Sequence, residues 1–226
     1  YVNNHYSHKD PAFKKMNHNL IKLDTQFDAI GIQTHMHTAK SRLSQSELWK
    51  LLEDYKVFGK PIHLTEISFP SSPPFKSWRD FQPHVESLKN ARSKKNRMAI
   101  ARKSNKKLEI YQAEYLRDFY TLAFSHPKVE TLIYWSGSDL YEWRGTAAGL
   151  LDVEHNPKPA YKVLKDLIKK KWHTNVNDFA DKKGTISFAG FYGEYIGKTT
   201  LNGKEQSFTF VHTPGMTGPY VIKLMD

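Results

Sequence analysis

Short apolar runs alternate with stretches whose apolar residues recur every three or four positions, and this alternation constrains the fold more than anything else in residues 1–171. Residues 27–34, 61–67 and 129–135 read as strands, and residues 1–6 as a shorter aromatic one. Residues 11–23 have helical spacing through Phe13, Met16, Leu20 and Leu23. Residues 44–55 place Leu48, Leu51, Leu52 and Tyr55 on one stripe, with Ser44 and Glu47 spaced as a capping box. Further helices are predicted over 108–125 and 158–171, the second begun by Pro157 and Pro159. Strands that alternate with helices pair in parallel, because a parallel neighbour has to be reached by a crossover.

The fold class that follows is α/β. Four such strands are half of a (β/α)8 barrel, which takes eight strands and about 250 residues. An open set would leave two edges of unpaired backbone groups. The chain also begins on residues that read as the middle of a strand, so it is expected to be a fragment, and its start carries no information on targeting. Residues 75–107 are too long for an ordinary connection and predict a functional loop or an insertion. Nine Lys and Arg lie between Lys89 and Lys107 with no acid among them. Such a run is usually a solvated face; the sharper alternative is a contact surface for acidic polysaccharide.

Past Trp172 the helical spacing stops. Glycines punctuate short runs at 185–188, 207–211 and 220–224, the pattern of a small antiparallel β-domain, and Asn202-Gly203 is a hairpin turn signal. The predicted organisation is therefore 1–171 as a partial barrel with a basic insertion at 75–107, and 172–226 as a small all-β accessory domain. Phe188, Phe191, Tyr192 and Tyr195 are either the core of that domain, the commoner outcome, or a sugar-stacking surface.

Composition narrows the function classes. The net charge is +11, yet no nucleic-acid motif accompanies it. No apolar run is long enough to cross a membrane as a helix. There is no Cys, hence no disulfide framework or thiolate chemistry. No metal-ligand spacing stands out among the eleven His, and no cofactor is predicted. The aromatic content, 13% of residues, suits a cleft in which flat rings stack on sugars.

Three segments hold the chemistry. In Gly31-Ile-Gln-Thr-His35, Gln33 and His35 fall on one face at the end of a strand, where sites of such folds are built. In Lys60-Pro-Ile-His-Leu-Thr-Glu-Ile67, an apolar strand ends on Glu66, a carboxylate that is costly there unless it is paired or used. In Thr131-Leu-Ile-Tyr-Trp-Ser-Gly-Ser-Asp-Leu-Tyr-Glu-Trp143, Trp135 ends a strand and Trp143 lies in the loop beyond it. Ala148-Gly-Leu-Leu-Asp152 and Asn156-Pro-Lys-Pro-Ala-Tyr161 follow.

In this order the segments resemble the last barrel strands of glycoside hydrolase family 10. That family carries a Gln-x-His strand, a strand ending in Thr-Glu, and a Trp-Gly-x-x-Asp-x-x-x-Trp loop. Tyr1-Val-Asn-Asn4 resembles its fifth strand, so the chain would supply about strands 5 to 8. The resemblance implies an endo-β-1,4-xylanase-like enzyme that hydrolyses xylan or a related β-glycan with retention, outside the cell or in the periplasm. It implies Glu66 as nucleophile and His35 as the residue that orients it. Gln33, Trp135, Trp143 and Asn3 would bind substrate. Four departures stand out: Asn4 and His5 stand where Asp and Tyr are common, Ser68 replaces the Asp usual after Thr-Glu-Leu, Ser136 interrupts the Trp-Gly pair, and the basic insertion is atypical. The family's acid/base lies on a fourth strand. This chain alone is therefore expected to be inactive, its partners being a polysaccharide and the N-terminal half of the barrel, with neither nucleic acid nor membrane. Asp139, Glu142 and Asp152 are poor substitutes for that acid/base. The competing expectation is a degenerate barrel that binds polysaccharide without cutting it.

Overall fold

The computed structural model describes residues 2–4, 10–216 and 218–224, in two compact units, Tyr1–Lys165 and Asp166–Asp226. The first holds a parallel sheet. Among the described residues its order is β1 (Val2–Asn4), β2 (Ile30–Ile32), β3 (Ile62–Ile67) and β4 (Val129–Tyr134). Ile30 pairs with Ile62 and Ile32 with Leu64, and all four side chains are buried. A single bridge between His35 and Ser68 prolongs the β2–β3 alignment to its C-terminal rim. Of the aromatic strand expected at residues 1–6, Val2–Asn4 forms; residues 1, 5 and 6 lie outside the described residues.

Helices α1 (Pro11–Lys22), α2 (Gln45–Lys56) and α5 (Lys106–Ser125) form where the spacing predicts them. Ser44 Oγ accepts from Glu47 N–H while Glu47 Oε2 accepts from Ser44 N–H, so the capping box closes in both directions. Leu48 and Leu52 of α2 and Leu116 of α5 are essentially inaccessible, and each such side chain stabilises the fold by about 1.5–3 kcal/mol. The last predicted helix is shorter: α6 (Pro159–Asp166) gives way to a π-helical turn, Leu167–Lys171.

The segment 75–107, expected as a functional loop or an insertion, is largely helical. It folds into α3 (Trp78–Asn90) and α4 (Lys94–Ile100), capped by Ser77 and Ser93. Phe81 and Leu88 of α3 are fully buried, with His84 between them at helical spacing. Pro83 sits inside this helix, and a proline there ordinarily argues against one. Several of the basic residues have structural duties: Arg97 Nη1 donates to Leu88 O, and Arg102 lies over the Phe75 ring.

In the second unit, β5 (Gly193–Leu201) and β6 (Lys204–His212) form an antiparallel hairpin. Asn202 and Gly203 both have positive φ, 51° and 78°, as a two-residue turn between right-twisted strands requires. The runs at 185–188 and 220–224 are not strands. Asp181 accepts from Lys183 N–H and Thr185 N–H, which turns the chain just ahead of the first. The second is tied by its side chain: the Tyr220 hydroxyl lies 3.1 Å from His212 Nδ1, and its ring packs on Phe210. Phe188, Phe191 and Tyr192 stay exposed rather than forming a core, while Tyr195 stacks on Phe210.

Candidate active site

The C-terminal ends of β2, β3 and β4 bring Glu66, His35 and Trp135 together. Parallel pairing fixes this: Trp135 N–H donates to Ile67 O, and Met36 N–H donates to Ser68 O. Glu66 Oε2 lies 2.8 Å from His35 Nε2, with side-chain exposures of 19% and 8%. The carboxylate is thus open to a ligand while its partner ring is held inside. Burial pushes the Glu66 carboxyl above its usual range, and the charge of Arg144 opposes that shift. The edges of Trp135 and Trp143 flank His35, with ring centroids 6.5 and 6.0 Å away. Both indoles are more than two-fifths exposed, so each keeps open surface on which a sugar ring can stack.

Asn3 is exposed on β1 and accepts a 3.0 Å hydrogen bond from Thr65 Oγ1, beside Glu66 in sequence. Gln33 is half-buried two residues before His35; among the described residues it takes no part in the Glu66 hydrogen bonds.

Behind this front lies a set of groups that sequence reasoning did not join. His35 Nδ1 lies 2.7 Å from Ser68 Oγ, which in turn lies 2.8 Å from His37 Nε2. His37 Nδ1 lies 2.7 Å from Thr146 Oγ1. Thr146 N–H and its hydroxyl both donate to Glu142 Oε2, at 2.6 and 3.1 Å, and Arg144 N–H donates to Oε1. Phe81 of α3 stacks on the His37 ring, and His84 Nε2 reaches the carbonyls of Arg144 and Gly145. The helix in the basic segment therefore covers the His37 ring and braces the loop carrying Trp143. Enclosure holds His37 well below the usual histidine range, reinforced by Arg144, His35 and Arg42. Arg144 is itself brought down to about 10 by burial, against the pull of Glu142 and Glu66, and its guanidinium lies 4.1 Å from the Trp143 ring centroid.

The remaining carboxylates of the loop have other work. Asp139 pairs with Lys158 at 3.1 Å and accepts from Gly149 N–H. Asp152 accepts from Glu154 N–H and Asn156 N–H. Among the described residues, no cluster of three or more His, Cys, Asp or Glu could hold a metal ion, and no helix is long and apolar enough to cross a membrane.

Comparison with known proteins bears on the first unit. The Glycosyl hydrolase family 10 profile matches residues 1–167. This chain belongs to that family. Its fold is shared with a family 10 endoxylanase retrieved from a sugarcane soil metagenome, at TM-score 0.53 and 22% identity over 73% of this chain and 48% of that one. It is shared equally with xylanase B from Clostridium stercorarium F9, at TM-score 0.53 and 21% identity over 74% and 46%. A curated relative, the anti-sigma-I factor RsgI6 of Acetivibrio thermocellus, is 32% identical over 96 residues, 42% of this chain and 12% of the relative. The chain thus spans under half the length of these solved family members and a small part of the regulator.

One family 10 departure has a structural correlate. Ser136, which interrupts the Trp-Gly pair, has φ of 107°, a region that favours glycine. Its buried hydroxyl finds no partner among the described residues.

Proposed function

We propose that this chain supplies the nucleophile half of a retaining glycosidase acting on β-1,4-xylan or a related β-glycan. The observation that carries the reading is the Glu66–His35 contact of 2.8 Å at the open rim of a parallel sheet, between two exposed indoles. In such a reaction Glu66 attacks the anomeric carbon and the glycosidic oxygen leaves with a proton from a second carboxyl group. Water then cleaves the glycosyl–enzyme ester. His35 keeps Glu66 charged and aimed, because a hydrogen bond to the ionised form favours it. Trp135 and Trp143 form walls against which sugar rings stack, while Gln33 and Asn3 bind hydroxyl groups at the same rim.

The second carboxyl of a retaining pair stands about 5–5.5 Å from the first. Glu142, Asp139 and Asp152 do not fit, since each is engaged by backbone donors or by Lys158. The acid/base therefore comes from the other half of the barrel, residues 1–171 being strands 5 to 8 and residues 172–226 an accessory domain. The compartment that fits a polymeric substrate is extracellular or periplasmic.

A second reading is glycan binding without cleavage. It is favoured by that engagement of the local carboxylates, and 96 residues of the chain are similar to a relative named as an anti-sigma-I factor. Hydrolysis of xylan by the whole barrel containing this chain separates the two, wild type against Glu66→Gln, with product configuration followed by NMR. Retention that disappears in the variant supports the enzyme. A folded barrel that binds xylan and leaves it intact supports the binding module.

A further inference from the structure

Four side chains, His35, Ser68, His37 and Thr146, connect the rim carboxylate to an interior one, and their proton count gives the chain a direction. Glu142 is 2% exposed and faces three donors, two backbone amides and the Thr146 hydroxyl. An ionised carboxylate only accepts, so this surrounding suits that form. Thr146 has one hydroxyl proton. Directed to Glu142, it leaves lone pairs toward His37, and His37 Nδ1 must donate. Burial disfavours a second proton on the His37 ring, so with Nδ1 donating its Nε2 accepts, and the Ser68 proton points at it. Ser68 Oγ then accepts from His35 Nδ1–H. One proton remains for the 2.8 Å contact between His35 Nε2 and Glu66 Oε2. With that proton on nitrogen the pair is an imidazolium and a carboxylate; with it on oxygen, a neutral ring and an acid.

We propose that Glu142 is a positioning residue for Glu66: through Thr146, His37 and Ser68 it fixes which ring nitrogens carry protons, so that Glu66 is a carboxylate only against a cationic His35. This rests on the reading of Glu66 as nucleophile, and it deepens that reading by making the charge of the reacting group depend on a residue that never meets substrate. Reversing the direction of the chain would require Thr146 to withdraw its proton from Glu142, leaving an oxygen lone pair facing a carboxylate. The titratable and charged groups around the imidazole pair are Glu66 on β3, Arg42 just ahead of α2, and Arg144 and Glu142 on the loop after β4.

The test is the tautomer of each ring, read from nitrogen-15 NMR of the full chain labelled at histidine near neutral pH. His37 is expected as the Nδ1–H tautomer, and His35 with protons on both nitrogens or on Nδ1 alone. Thr146→Val removes the hydroxyl that anchors the direction. In that variant His37 is expected to switch to Nε2–H, and His35 to become a neutral ring with its proton on Nε2. Thr146→Ser restores the wild-type spectrum, which loss of packing alone would not predict. Wild-type His37 found as Nε2–H overturns the proposal, as does a Thr146→Val spectrum in which His35 is unchanged. If Thr146→Val does not fold, Ser68→Ala is the second variant: His35 is then expected to change while His37 keeps its proton on Nδ1, and an unchanged His35 overturns the proposal. These spectra do not depend on Glu66 reacting with a glycoside, so failure of the nucleophile reading and failure of this one are distinguishable.

Discussion

His35 Nε2 stands 2.8 Å from Glu66 Oε2, and that contact joins the end of β2 to the end of β3 at the sheet's open rim. A hydrogen bond to a charged group contributes about 1.5–3 kcal/mol. If His35 holds Glu66 for attack, His35→Ala lowers the rate at which Glu66 is covalently labelled by an activated xylobioside by about 10–100-fold. Label incorporation followed by mass spectrometry measures it, and an unchanged rate would remove His35 from the mechanism.

The indole walls give a binding prediction. Stacking on an aromatic face contributes about 0.5–1.5 kcal/mol, so Trp135→Ala and Trp143→Ala each weaken xylo-oligosaccharide binding by about 2–10-fold in calorimetry. Trp49→Ala, on α2 and against His126, is the control that leaves affinity unchanged.

Much of the rim was legible because its signals are local. A carboxylate at the end of an apolar strand, and Gln33 with His35 two residues apart, each show on a few consecutive positions. The set behind them is not local: His37 and Ser68 are 31 residues apart, and His37 and Thr146 are 109 apart. Its members read singly as ordinary residues, and only the fold joins them. Helix α3 was obscured by Pro83 and by the charge of the surrounding segment, although Phe81, His84 and Leu88 keep the helical interval. In the second unit the Asn202-Gly203 turn was legible for a local reason too, whereas the runs at 185–188 and 220–224 look like strands but lack a ladder to join.

Ser136 offers a test on stability. A residue other than glycine at φ of 107° is strained, and this one also buries a hydroxyl with no partner among the described residues. Ser136→Gly is expected to stabilise the fold by about 1 kcal/mol, read as a higher urea midpoint at unchanged slope. A lower midpoint would mean that the hydroxyl has a partner in solution.

Asp139 supplies the pH dependence. Burial raises its carboxyl to about 6 despite the attraction of Lys158. A carboxyl raised on folding favours the folded state most at low pH. That contribution is whole below about 4, the unfolded value, and is lost as pH rises through about 6. Urea midpoints between those limits should carry this downward component as pH rises, and Asp139→Asn should remove it. A variant with the wild-type pH profile would contradict the assignment.

The most direct measurement of the central claim is where an activated sugar attaches. A fluorinated xylobioside with a dinitrophenolate leaving group needs no acid to expel it, so the nucleophile is tested apart from the acid/base. Peptide mapping of the treated protein is predicted to find the glycosyl adduct on Glu66 and none in Glu66→Gln. An adduct on another carboxylate, or a folded protein that binds xylobiose and forms no adduct, would contradict Glu66 as the nucleophile.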